Sequence, residues 1–418
     1  MKVLVVGGGA REHAIVWKLN QSPSVDELLV APGNAGTVQI ASNFPVAAED
    51  LDGLLRLAQE GSVDLTVVGP EGPLAAGIAD RFQDAGLAVF GPTQAAARIE
   101  SSKTFAKELM LDIGVPTAKA RTFSSFLQAS EYVRNSPLPI VVKANGLTGG
   151  KGVVVTESRK EAVQALREQL DAKKFGPAGA TVLVEEYLAG REISVFAFVD
   201  CRHVSSLVAA CDYKRVGDGD VGPNTGGMGS FTPPSFWNDE LDRQVRAEIM
   251  EPVAHALADR GTPYSGVLYA GIMITEDGPK VYEFNCRLGD PEAQVVIPRL
   301  KSDLAEVMMS AAQGRLAEID VDWGSEAGVG VVVASGGYPG TYATGLSIKG
   351  LDSLDGATVF HAGTKIERPG RVVTDGGRVL TVVSMADSVE GARRKVYANL
   401  PRISFKDSFY RGDIAAVA

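Results

Sequence analysis

The sequence predicts an α/β and α+β multidomain protein, with an amino-terminal doubly wound parallel sheet, two mixed units after it and a mainly β carboxy-terminal domain. Three observations predict it. At 418 residues the chain exceeds what one hydrophobic core organises, and 45% hydrophobic residues are ample to fill two to four domains. Over the first hundred residues short apolar runs alternate with helix-like stretches, the pattern of parallel βαβ units. From Val329 the chain reads mainly as strands parted by Gly336-Gly337, Pro369-Gly370 and Gly376-Gly377, with one helix-like stretch from Val389 to Leu400.

In the first unit the strands are Val3 to Val6, Glu27 to Ala31, Leu65 to Val68 and Ala88 to Phe90. Ligands of such sheets sit beyond the carboxyl ends of the strands, where Gly7 to Glu12, Ala31 to Gly36 and Gly69 to Pro73 form three turns around one crevice. Gly7 and Gly9 begin a dinucleotide pattern. Glu12 occupies the third glycine position, however, and the second strand ends at Ala31-Pro32 with no acid for a ribose hydroxyl, which argues against NAD. A helix N-terminus carrying Arg11 suits a phosphomonoester instead; a tight glycine turn with no ligand is the plain alternative.

Ser102-Lys103-Thr104-Phe105 open a helix that runs to Leu111 and is stopped by Gly114-Val115-Pro116. A small α+β unit follows, to about Val184. Within it Ile140 to Ala144 and Gly152 to Val155 read as strands joined by Asn145-Gly146-Leu147-Thr148-Gly149-Gly150-Lys151. A Walker A loop needs four residues between its glycines and then a helix; here three separate Gly146 from Gly150 and a strand follows, so a P-loop is excluded. A hairpin flap fits, its glycine N–H groups closing over phosphates that Lys143 neutralises, against the alternative of a mobile hairpin with a solvated Lys151. Val182 to Leu188 ends a strand in Glu185-Glu186, and Gly190-Arg191-Glu192 starts the next; such a linker can hold adenine by its backbone, although acidic turns are common on any surface.

Residues 190 to 320 read as the catalytic body, with a helix from Leu241 to Ala258. In the run Lys280 to Arg287, period two places Glu283, Asn285 and Arg287 on one face and Tyr282, Phe284 and Cys286 on the packed face. A carboxylate and an amide oxygen one repeat apart can share a hard cation, and a guanidinium grips phosphate or carboxylate in bidentate fashion. The alternative is a half-buried edge strand with a solvated polar face. Asp290-Pro291-Glu292 reads as an N-cap Asp with Pro at the first helical position. From Asp212 to Gly229 periodicity is weak and glycines are many, which favours a substrate loop over disorder. Met308-Met309, His255 and His361 read as packing or surface residues, and no Ser/His/Asp or Cys/His set is evident.

A net charge of −10 argues against nucleic-acid binding, so any anion site is local. Cys201, Cys211 and Cys286 have no C-x-x-C spacing, which argues against a disulfide framework or structural zinc and fits a reducing compartment. The apolar start Met1 to Val6 is interrupted before it reaches the length of a signal-peptide core, and no run of about 18 apolar residues follows; no membrane partner and a cytoplasmic location are expected.

Taken in order, the glycine-rich α/β unit, the K-A-N-G-L-T-G-G-K-G flap, E-E-Y-L, D-Y-K-R-V-G-D with P-N-T-G-G-M-G, and E-F-N-C-R-L-G-D-P-E resemble the phosphoribosylamine–glycine ligases of the ATP-grasp superfamily across essentially the whole chain. The last two motifs are the specific ones; the flap and E-F-N occur in many ATP-grasp enzymes. The resemblance implies a phosphoribosyl-binding domain at 1–102, an ATP-grasp core of two lobes (flap lobe 121–188; body 103–120 and 189–323) and a carboxy-terminal α+β domain at 324–418. It implies ATP-dependent joining of glycine to 5-phosphoribosylamine through a glycyl phosphate, in purine synthesis, with Mg²⁺ or Mn²⁺ and with transient contact with the enzyme that makes the amine. Lys103 and Lys143 would meet ATP phosphates under Gly149, Gly150, Lys151 and Gly152. Glu185, Glu186 and Leu188 would frame adenine, Glu192 would bind ribose, and Glu283 and Asn285 would hold the metal. Arg287 would stabilise the acyl phosphate, with Asp212, Lys214, Thr225, Gly226 and Gly227 near glycine and the amine; Lys143, Asp212, Lys214 and Arg287 form the implied catalytic set. Gly9, Arg11, Asn34 and Glu71 would line the phosphoribosyl site. The chain departs from the commoner K-A-D-G-L-A-A-G-K-G flap at Asn145, Thr148 and Gly149, and has Tyr213 where His is frequent. Another ATP-grasp ligase or carboxylase, and a non-catalytic nucleotide-binding module, are the competing expectations.

Overall fold

The computed structural model describes residues 1–416; Val417 and Ala418, the end of the expected carboxy-terminal domain, lie outside the described residues. Lys2–Gly7 is the middle strand of a five-stranded parallel sheet, between Glu27–Pro32 and Leu65–Val68, with Ser42–Asn43 and Val89–Phe90 at the edges. Val3 to Val6 are wholly buried because helices cover both faces, which is why this strand reads as an unbroken aliphatic run rather than an alternation. The crevice between the first and fourth strands opens at Gly7 and Gly69. Glu12 fills it: a Cβ on Gly7 would lie 2.6 Å from its Cγ, and one on Gly69 2.2 Å from its Oε1.

Ala120–Phe123, Val182–Glu186, Ile140–Ala144 and Val153–Thr156 form a four-stranded antiparallel sheet. Helices Phe126–Asn135 and Arg159–Leu166 bury Ala129, Val133, Ala162 and Leu166 against Val142 and Val184. This lobe presents the flap between Ile140–Ala144 and Val153–Thr156.

The third sheet is antiparallel throughout. Its strands run Gly278–Asn285, Tyr264–Thr275, Arg191–Cys201, Val208–Asp212, Gly229–Thr232, Ala327–Ala334, Arg378–Ala386 and Thr358–His361, with His203–Val204 beside Arg191–Cys201. The sheet continues across residue 324, because Gly229–Thr232 pairs with Ala327–Ala334 and both strands are buried along their whole length. The carboxy-terminal residues thus share a sheet with the body. Among the described residues no helix is long and apolar enough to cross a membrane.

Three local expectations are corrected. The helix expected from Leu241 to Ala258 is Asp239–Val245 and Glu251–Asp259, joined by a π turn over Arg246–Met250. Pro252 has no N–H to give the Glu248 carbonyl, and Glu251 N–H bonds back to Arg246 O, which absorbs the mismatch. Asp290 caps no helix: the short helix is Ala293–Val296, and the Asp290 carboxylate is drawn instead to Arg378 (3.2 Å) and the Gln294 amide (2.8 Å). Tyr282 does not join the packed face. Gly271 pairs with Glu283 and Ile272 with Val281, so Tyr282 is the extra residue of a bulge and swings out over Gly271.

Candidate functional site

The three sheets enclose a cleft of about 1360 Å³ that collects most of the expected residues. Its first wall comes from helix Lys103–Ile113. Ser102 caps it through Phe105 N–H (3.3 Å), while Asn145 Oδ1 accepts from Thr104 N–H (2.9 Å) and Thr104 Oγ1 (2.8 Å), pinning the flap's root to the helix start. Lys103 Nζ reaches Gly146 O at 3.3 Å. Lys143 projects from its strand to Glu185 (2.6 Å) and to the Tyr282 carbonyl (2.8 Å).

Glu185 lies buried between two lysines, Lys143 and Lys107, the latter at 2.9 Å and also bonded to Thr117 Oγ1 and Ala118 O. Burial alone would raise the Glu185 carboxyl; the two ammonium groups hold it below its ordinary value. The Glu185 side chain therefore faces the lysine wall, and any contact with adenine falls to the backbone here. Glu186 accepts from Lys119 N–H (2.9 Å). Leu188, Ala118, Met273 and Tyr282 form a small apolar patch at this end, a fitting surface for a planar base.

The flap residues Gly149 and Gly150 line the cleft with φ of 58° and 76°, left-handed values that glycine adopts without steric cost. Lys151 and Gly152 do not line it; Gly152 N–H is held by Thr148 Oγ1 at 3.0 Å.

On the facing wall stand Glu283 and Asn285. Burial pushes the Glu283 carboxyl up, but Lys214, Lys143, Lys103 and Arg287 together hold it below the ordinary value. Among the described residues it takes part in no hydrogen bond or ion pair. The Asn285 amide oxygen accepts from Arg287 (3.2 Å), while its Nδ2 is buried without a partner among the described residues. One carboxylate and one amide oxygen fit a hard cation that also keeps waters and phosphate oxygens. No group of three His, Cys, Asp or Glu side chains that would hold a metal by itself occurs among the described residues.

Lys214 Nζ bridges Glu192 (2.8 Å) and Tyr282 Oη (3.0 Å) and lies 4.7 Å from the Tyr282 ring centre. Beside it Asp212 is pushed up to about 7, by burial first, with Lys214 opposing and Glu292, Glu192 and Glu283 reinforcing. Thr225 Oγ1 donates to Lys214 O (2.9 Å) and accepts Gly227 N–H (3.0 Å). Thr225 and Gly226 line the cleft; Gly227 does not. The segment expected to be irregular is an ordered hairpin, Arg215–Gly217 with Val221–Asn224.

Arg287 closes the far end, held by Glu71 (3.2 Å) and Glu100 (3.0 Å). Its guanidinium draws Glu71 down to about 2 against the effect of burial. Arg11 and Glu71 line the cleft, whereas Gly9 and Asn34 do not. The Gly9 N–H is taken by Glu12 Oε2 (2.7 Å), so it is not free for a phosphate. Asn34 spends its amide on Gly8 O, His361 O and the N–H groups of Gly36 and Thr37, which makes it a brace between the first unit and the carboxy-terminal strands.

Among the polar cleft residues to which sequence reasoning gave no role in the site are Lys107, Glu100, Tyr282, Glu292 and Arg378. Lys107 was findable, one helical turn from Lys103 on the same face. Glu100 and Glu292 are acids whose partners lie far away in sequence, among them Arg287 for Glu100 and the Ser194 and Tyr269 hydroxyls (each 3.1 Å) for Glu292.

Residues 1–100, 101–293 and 328–417 match the N, ATP-grasp (A) and C domains of phosphoribosylglycinamide synthetase. The chain is 49% identical to the phosphoribosylamine–glycine ligase of Halalkalibacterium halodurans, over all of this chain and 97% of the relative, and 45% identical to that of Caldanaerobacter subterraneus over the full length of both. Among solved structures, the phosphoribosylamine–glycine ligase of Thermotoga maritima superposes with a TM-score of 0.87 at 31% identity, covering 99% of this chain and 100% of that one. The biotin carboxylase domain of Hydrogenobacter thermophilus 2-oxoglutarate carboxylase, in complex with MgADP and bicarbonate, superposes at 0.75 with 17% identity over 98% of this chain and 91% of that one, which shows a shared fold. This chain belongs to the phosphoribosylglycinamide synthetase family.

Proposed function

We propose that this cleft carries out the ligation of glycine to phosphoribosylamine, with ATP converted to ADP and phosphate through glycyl phosphate. Family membership supplies the overall reaction. The observation that carries the site assignment is the partnerless Glu283 carboxylate, set in one cleft among Lys103, Lys143, Lys214 and Arg287. Four cations around one free acid suit a ligand set of high negative charge, a triphosphate tail and a carboxylate brought together.

ATP lies with its base on the Leu188–Met273–Tyr282 patch and its phosphates beneath Gly149 and Gly150, where Lys103 and Lys143 neutralise charge. To reach a phosphate, Lys143 exchanges its bond to Glu185, and Lys107 keeps that carboxylate satisfied. A divalent cation held by Glu283 and Asn285 would screen the phosphate oxygens and polarise the terminal phosphorus. A glycine carboxylate oxygen attacks that phosphorus and the bond to the ADP oxygen breaks. The sugar amine then attacks the acyl carbon, the C–N bond forms, phosphate leaves with the C–O electron pair, and the amine gives up a proton. Asp212, facing the cleft with a pKa of about 7, is placed to take it. Arg287 stabilises the tetrahedral oxygen and the departing phosphate, and Arg11 lies nearest the sugar phosphate.

The same reading puts the enzyme in the cytoplasm and in transient contact with the enzyme that supplies the amine. A substrate panel tests it. ADP release should require glycine and phosphoribosylamine together; release with bicarbonate would favour a carboxylase, and nucleotide binding without release under any combination would leave only a binding module.

A further inference from the structure

The Arg215–Gly217 and Val221–Asn224 hairpin overhangs the cleft, with Arg215, Gly219, Asp220 and Asn224 on its lining, yet its two strands pair only with each other. Val221 to Asn224 are exposed throughout. A hairpin of this kind has little stability of its own in water. What holds it is the far end of the chain. Arg411 is 1% exposed at its side chain and grips Asp413 in a fork (2.7 Å to each oxygen), donates to Arg215 O (2.8 Å) and lies 4.8 Å from the Tyr213 ring centre. Asp413 Oδ2 in turn accepts Gly219 N–H (2.8 Å), Asp218 Oδ1 accepts Gly412 N–H (2.8 Å), and Tyr213 Oη accepts Ala415 N–H (2.9 Å).

The tail is itself fastened to helix Val389–Asn399. Arg393 donates to Gly412 O and Ile414 O, and Tyr397 Oη donates to Arg411 O (2.7 Å) and accepts from Ile414 N–H (3.0 Å). The other end of the segment has a separate anchor: Arg378 donates to Gly226 O (2.6 Å) and Asp290 O (2.7 Å), and Tyr338 Oη accepts Gly226 N–H (3.1 Å).

We propose that the carboxy-terminal tail, with Arg411 and Asp413 as positioning residues, clasps this hairpin so that Lys214 and Thr225 are set for glycine and the amine before either binds. The proposal rests on the ligase reading for its substrates but not for its clasp. A hairpin left loose must be ordered by the substrates at the expense of their binding, so the loss falls on Michaelis constants more than on the bond-making step. Arg411→Met removes the fork; Arg411→Lys keeps the charge but a single ammonium cannot span both oxygens; Asp413→Asn removes the charge at a more exposed position and serves if Arg411→Met folds poorly.

The experiment combines hydrogen exchange with kinetics. Amides of 215–224 should exchange about tenfold faster in Arg411→Met, while the Gly226 and Met228 amides stay protected by their acceptors, Tyr338 Oη and Tyr213 O. The Michaelis constants for glycine and phosphoribosylamine should rise about tenfold with kcat less affected, Arg411→Lys falling between, and calorimetric ATP affinity should be unchanged. Unaltered exchange over 215–224, or loss of ATP binding together with faster exchange across the whole chain in Arg411→Met and Asp413→Asn alike, overturns the clasp. If the wild type releases no ADP with glycine and the amine, the ligase reading fails, and the exchange comparison still decides the clasp by itself.

Discussion

Asp212 shows how much one side chain's surroundings dictate. Its folded pKa of about 7 stands above the ordinary carboxylate value, so the folded state holds a proton that the unfolded chain has lost. Its contribution to stability is therefore full below about pH 4 and disappears as pH rises to about 7, the reverse of an ion-paired carboxylate. Function runs the other way: glycine-dependent ADP release should climb through an apparent pKa near 7, and Asp212→Asn should abolish that limb, which a pH profile of kcat/KM measures. Glu283→Gln keeps the shape and removes the charge. It should lower ADP release by roughly 10²–10³-fold with an unchanged circular dichroism spectrum. Lys143→Ala should do the same, Lys107 keeping Glu185 paired. Glu283 and Lys143 were legible in the sequence because strand period and motif order select them. Tyr282 was not, since a one-residue bulge reverses its face and leaves no mark in the residue types themselves.

At the level of elements, the departures at Asn145 and Tyr213 both become structural devices. Asn145 ties the flap's root to the start of the Lys103–Ile113 helix, and needs an amide oxygen rather than a charge to do it. Asn145→Ala should cost about 1 kcal/mol in urea unfolding, as loss of a helix cap does. Asp413 is held down to about 2, chiefly by its hydrogen bonds from Arg411. A depressed carboxylate stabilises above its unfolded pKa and loses that contribution as pH falls, so exchange over 215–224 should quicken between about pH 4 and pH 2 before the sheets unfold. The hairpin itself read only as a glycine-rich irregular stretch. Its order comes from partners some 190 residues away, which no local pattern reports.

Across the whole molecule, the cleft is made where three sheets meet, and each supplies what the others lack. The first contributes Arg11 and Glu71, the flap lobe Lys143 and two glycines, and the long sheet Glu283, Asn285 and, from its carboxy-terminal strands, Arg378. The parallel sheet, the flap and the strand carrying Glu283 were readable because each carries its own periodicity or glycine signature. The continuation of one sheet past residue 324 was not, because pairing between Gly229–Thr232 and Ala327–Ala334 leaves both as ordinary buried strands. The central claim is that these walls bring a nucleotide's phosphates and an amino acid's carboxylate to the same cations. Transfer of ¹⁸O from carboxylate-labelled glycine tests it most directly. One labelled oxygen is expected in the released phosphate for each ADP formed, only when phosphoribosylamine is present to turn over; phosphate carrying no label under those conditions would contradict a glycyl phosphate formed in this cleft.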